Sequence, residues 1–123
     1  MSFLPAVRRE ISQRNVNDPV RITLEYLTNN GIGRNNPVPL DVIVKHLQSR
    51  GITNMSGTLF QQTILKDSRE SDYFIGSGKK GYFLIETEDD ALKMRDFYEI
   101  RIEAESRNLD NLRRLSRIAG WNV

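Results

Sequence analysis

The sequence predicts a mainly α fold with one small β-hairpin, closed by a long C-terminal helix. Three observations carry this. Apolar residues recur at helical spacing in short segments before residue 70. Two aromatic and branched runs then flank a turn, Gly76-Ser77-Gly78-Lys79-Lys80. From Thr87 no proline or glycine interrupts the chain until Gly120.

The elements follow in order. Residues 1–15 read as a basic N-terminal arm with Arg8, Arg9 and Arg14, in which only Phe3, Leu4, Val7 and Ile11 offer packing surface. Asn17-Asp18-Pro19 opens the first helix, a polar cap followed by proline at the first helical position. Val20, Leu24 and Leu27 form its apolar side, and Asn29-Asn30-Gly31 stops it. A loop runs to Pro37. The second helix begins near Pro39-Leu40-Asp41, carries Leu40, Ile43, Val44 and Leu47 on one stripe, and ends at Arg50-Gly51.

After the short connection Ile52–Met55, Ser56 caps a third helix over about Gly57 to Ser68. Phe60 and Ile64 face inward, four residues apart, which leaves Thr58, Gln61, Gln62 and Lys66 outward. Tyr73-Phe74-Ile75 and Gly81–Ile85 read as the hairpin strands. Tyr82 and Phe83 alternate faces there, with one of them packing under the helices. Thr87-Glu88-Asp89-Asp90 is a capping box with three acids in the first turn. The helix it opens is about 30 residues, or ~45 Å.

Three short helices and then a hairpin is the order of a winged helix-turn-helix domain, placed here at residues 16–86. In that arrangement the third helix enters the DNA major groove and the hairpin forms a wing beside it. The residues of helix and hairpin also resemble a group of small winged-helix proteins of phages and bacterial prophages. Ser56-Gly57, Phe60, Ile64, Ile75-Gly76-Ser77 and Gly81-Tyr82-Phe83-Leu84 carry the resemblance, over about residues 17–95. It implies a DNA-binding fold. Members commonly carry Arg in the exposed middle of the third helix, where this chain has Gln61 and Gln62.

On this reading Asn54, Ser56 and Thr58 lie where a helix start meets phosphates. Gln61 and Gln62 have the donor–acceptor pair that reads adenine, and Lys66 extends the same face. Arg69, Ser77, Lys79 and Lys80 complete the candidate DNA contacts from the wing side. The charge fits modestly. The chain carries +2 overall, with 11 basic and 8 acidic residues in 1–86 and 7 basic and 8 acidic in 87–123.

Residues 87–123 read as an amphipathic dimerisation helix. Met94, Tyr98, Ile102, Leu109, Leu112 and Ala119 follow an approximate three–four spacing, which Glu105 and Ser116 interrupt. A ~45 Å helix overshoots a body of about 70 residues, so its far half, with Leu109, Leu112, Leu115, Ile118 and Trp121, calls for a partner. The expected interface is Met94, Tyr98, Ile102, Leu109, Leu112, Leu115 and Trp121 of two copies.

Other classes find little footing. In 123 residues there is no room for a large barrel enzyme, and without cysteine there is no disulfide framework, thiolate metal site or cysteine nucleophile. His46 is the only histidine and has no partner at metal spacing. The capping box accounts for Glu88-Asp89-Asp90 without metal. Gly76-Ser77-Gly78-Lys79 lacks the spacing of a phosphate-binding loop. No uncharged apolar run reaches the ~18 residues a membrane helix needs. The expectation is a soluble, cytoplasmic homodimer that binds double-stranded DNA, with no catalytic activity, cofactor or metal. The alternative is a protein-interaction adapter that keeps the winged-helix body and works through its long helix.

Overall fold

The computed structural model describes residues 2–123. In chain order it contains α1 (Leu4–Gln13), α2 (Pro19–Asn30), α3 (Leu40–Ser49), α4 (Gly57–Phe60), a π-helical turn (Gln61–Leu65), α5 (Lys66–Ser68), β1 (Ile75–Gly78), β2 (Gly81–Leu84) and α6 (Glu88–Ile118). The chain divides into a first unit that ends at Ala91 and a second, Leu92–Val123. The mainly α class, the hairpin and the long last helix are as expected.

The segment read as an arm instead forms α1, packed on α2. Its Val7 is buried, and Leu4 and Ile11 pack against the same core. The basic character that argued for an arm is partly absorbed locally. Arg14 bonds Glu10 at 2.7 Å and Asp18 at 3.1 Å, and its carbonyl accepts from Arg21 at 2.7 Å.

α2 starts as its sequence requires: the Asp18 carboxylate accepts from the Val20 N–H, with Pro19 next. α2 packs on α3, and α3 on α4. Ile22, Leu24, Leu27, Ile43, Leu47 and Phe60 bury the centre of the first unit.

The second strand of the hairpin lies where expected, and the first is shifted along the chain. β1 begins at Ile75, so Tyr73 lies ahead of the strand, yet it is buried and its hydroxyl donates to Asp67. The antiparallel register pairs Ile75 with Leu84 and Gly78 with Gly81, leaving Lys79-Lys80 as a two-residue turn. Both lysines keep negative φ. The unusual backbone falls on Gly81, at φ 141°.

A third segment joins the hairpin edge. Val38 and Tyr82 exchange two backbone hydrogen bonds, at 2.8 and 2.9 Å. The Gly33 N–H donates to Leu84 O and the Leu84 N–H to Gly31 O. This third segment pairs along the edge of β2. Tyr82, Phe83 and Leu84 are all buried, where alternation would have left one face open. A Cβ on Gly81 would stand 2.1 Å from the Val38 carbonyl oxygen, so this close approach requires glycine.

α6 is continuous for 31 residues, about 46 Å. Its start is capped as the sequence implies, with the Asp90 N–H donating to Thr87 Oγ1. Its end is a Schellman turn. Trp121 N–H donates to Ser116 O, Gly120 N–H donates to Arg117 O, and Gly120 takes φ 80°.

Candidate nucleic-acid interface

The face predicted from helix three is present. Thr58, Gln61, Gln62 and Lys66 are exposed, while Phe60 and Ile64 are buried behind them. One feature of this segment had no signal in the sequence. The helix does not run as one α-helix from Gly57 to Ser68. It widens into a π turn over Gln61–Leu65. Such turns insert a residue into the helical repeat and re-aim the side chains around it. Here the turn contains both glutamines.

Gln61 is also where this segment meets the hairpin. Its side-chain Nε2 donates to the Tyr82 hydroxyl at 3.1 Å. The Tyr82 ring packs on Phe60, with centroids 5.4 Å apart. Tyr82 therefore joins the inner and outer faces of the π-turn segment to a strand that starts at the Lys79-Lys80 turn. The sequence assigned Tyr82 or Phe83 to packing alone. Burial of the ring was legible, and the use of its hydroxyl was not.

Lys79 and Lys80 are exposed at the hairpin tip. With Ser77, Gly78, Gly81, Tyr82, Pro39 and Leu40 they border a shallow groove of about 380 Å³. Ser77 has a second role. Its Oγ accepts from the Arg69 guanidinium at 3.1 Å, and Arg69 also lies over the Phe74 ring at 5.1 Å. Arg69 thus braces the end of α5 to β1, and both members of this pair are only partly exposed.

At the start of α4, Ser56 Oγ accepts from the Leu59 N–H at 3.1 Å. Ser56 therefore acts as the helix cap, as expected. Asn54 is exposed and opens onto a different surface, an apolar groove lined by Val20, Ile52, Met55, Leu59 and Tyr73. Some of the predicted residues are therefore brought together and one is set apart. Gln61 is joined to the hairpin of Ser77, Lys79 and Lys80 through Tyr82, and Asn54 borders the second groove.

His46 packs tilted against Tyr26, with ring centroids 4.3 Å apart, and burial together with nearby Arg50 lowers its pKa. The neutral imidazole is favoured. Asp90 is buried. Burial alone would raise its pKa, but the backbone N–H groups of Glu86, Arg34 and Thr87 outweigh that and hold it low. Asp90 and Asp89 also pair with Arg34, so this part of the acidic helix start is held inside the first unit. Among the described residues no group of three or more His, Asp or Glu side chains is arranged to hold a metal ion.

In the second unit, Ile102, Leu109, Leu112, Leu115 and Trp121 of the expected interface are exposed. Tyr98 is partly exposed, and Met94 is buried. Phe97, Ile100 and Ile118 add exposed apolar surface that the expected interface left out. Among the described residues no helix is long and apolar enough to cross a membrane.

Compared with known proteins, the chain matches no family model, no curated protein and no solved structure.

Proposed function

We propose that the chain is a non-enzymatic winged helix-turn-helix protein that binds double-stranded DNA as a homodimer. The observation that carries this is the join of two surfaces of different chemistry. An exposed polar face of Thr58, Gln61, Gln62 and Lys66 is tied through Gln61 and Tyr82 to a hairpin tipped by two exposed lysines. Glutamine amides match the donor–acceptor pattern of adenine in the major groove, and a lysine turn matches phosphate. The first unit needs no strong net charge for this, because the lysines act at a few phosphates while the amides supply base contacts. A prophage-type regulator or accessory DNA-binding protein of the cytoplasm fits these features.

A second reading is a protein-interaction adapter. The exposed apolar side chains of the second unit favour it, among them Phe97, Ile100 and Ile118. Binding of a labelled random-sequence duplex at low salt separates the two. A shift at micromolar protein supports DNA binding, and no shift with any duplex supports the adapter.

A further inference from the structure

We infer that the second unit pairs with a second copy of itself in antiparallel orientation, with Leu109 of each chain against Leu112 of the other. This rests on the homodimer reading above and fixes its geometry.

The seam is open in the single chain at its apolar positions, while Ser116 is buried. From Ile102 the heptad steps of three and four residues pass through Glu105, Leu109, Leu112, Ser116 and Ala119. Ile102 is 65% exposed and Leu112 54%. An isolated helix carrying such a seam leaves its apolar area in water, and pairing removes it.

Charge selects the orientation. From Tyr98 to Glu105 there are three acidic side chains and one basic; from Ser106 to Val123 there are four basic and one acidic. The helix dipole accounts for Arg117 in the last turn but not for the acidic half. It acts on the first and last turns, whereas Glu99, Glu103 and Glu105 lie well inside a helix that starts at Glu88. Parallel pairing in register would set like halves together and Glu105 against Glu105 in the seam, an unpaired charge beside its own kind. Antiparallel pairing sets each acidic half beside a basic one.

The seam also selects the register. With Leu109 opposite Leu112 of the second copy, Ile102 falls opposite Ala119, large against small. Glu105 falls opposite the turn of Ser116, which Arg113 and Arg117 flank. The two polar interruptions thus meet each other and not a leucine. One two-fold axis generates every layer twice, as a closed dimer requires.

The chain has no cysteine, so introduced thiols report the pairing cleanly. Ile102 and Ala119 are both exposed, and they stand 17 positions apart on one helix, about 25 Å, too far for a bond within one chain. The full chain without DNA should sediment as a dimer at tens of micromolar. Oxidation of a mixture of I102C and A119C chains should yield the disulfide-linked heterodimer as the main product. The I102C/A119C double variant should become almost wholly linked, and each single variant alone should link only slightly.

Self-linking of each single variant as efficient as the mixture would overturn the antiparallel orientation and leave the dimer. A monomer at all concentrations would overturn the second copy as occupant. A monomer that still bound duplex DNA would leave the DNA reading standing, and a dimer of this register that bound none would remove it.

Discussion

The Gln61 side-chain amide donates to the Tyr82 hydroxyl at 3.1 Å. This one bond ties the π turn to the hairpin, and it constrains both. It occupies one of the two amide protons of Gln61 and leaves the other, with the carbonyl oxygen, available on an exposed side chain. Gln61 is therefore oriented before any ligand arrives, while Gln62 beside it, also exposed, has no such tether among the described hydrogen bonds.

That difference gives a test of base reading. Gln61→Ala and Gln62→Ala should each change sequence preference, by ~1–3 kcal/mol at the base affected if the contact is bidentate. Tyr82→Phe should change preference in the same direction as Gln61→Ala by a smaller amount, since it frees Gln61 without removing it. Selection from a randomised duplex pool, with each variant compared to the parent chain, measures all three. Identical preferences throughout would remove the glutamines from the interface.

The lysine turn should behave otherwise. Lys79→Ala/Lys80→Ala should weaken binding to every duplex and reduce the salt slope of log K by about 3.6 in magnitude for the homodimer, at ~0.9 for each of the four phosphates no longer neutralised. Fluorescence anisotropy at four or five salt concentrations reads this. An unchanged slope would place the lysine turn away from the phosphates.

Local signals in the sequence announced most elements. Asp18 with Pro19, Ser56, and Thr87 with Asp90 are starts set by side-chain chemistry within four residues, and each forms as read. The features that did not show depend on distant partners or on no local signal at all. The Val38–Tyr82 backbone pair joins residues 44 positions apart at the edge of β2, and the burial of both faces of β2 is not revealed by alternation within the strand. α1 was hidden by its arginines, although Glu10 and Arg14 at helical spacing, with Pro5 at the start, were there to be read. The π turn has no residue signature in this chain. It placed the two glutamines in a setting that helical periodicity alone does not describe.

Asp90 sets a pH dependence. Its carboxylate accepts from the N–H groups of Arg34, Glu86 and Thr87 at 3.1–3.2 Å. Its pKa in the folded chain lies below the ordinary 3.8, so the unfolded chain takes up this proton more readily. The stability it contributes is whole above that ordinary value and is lost as pH falls through the lower folded one. Asp90→Asn should cost about 1.5–3 kcal/mol at pH 7, the range for hydrogen bonds to a charged acceptor. The gap between variant and parent should narrow below pH 4. Urea unfolding at pH 7, 5 and 3 checks both statements, and a gap independent of pH would contradict them.

Two glycines of the hairpin should respond in opposite ways. Gly81→Ala meets the Val38 carbonyl at 2.1 Å and a backbone conformation disfavoured for alanine, and should cost at least about 2 kcal/mol. Gly78→Ala meets nothing within 4 Å and should be neutral or slightly stabilising. Thermal unfolding of the two variants is the comparison. Equal melting temperatures would mean that the Val38 segment does not sit against the hairpin.

DNA binding by the native chain is tested most directly by titrating it into a labelled duplex of 25–30 base pairs from about 50 to 200 mM salt. Binding at micromolar protein or tighter at the lowest salt, with log K falling linearly as log salt rises, is the expected result. No binding at 50 mM salt by a folded chain would contradict it.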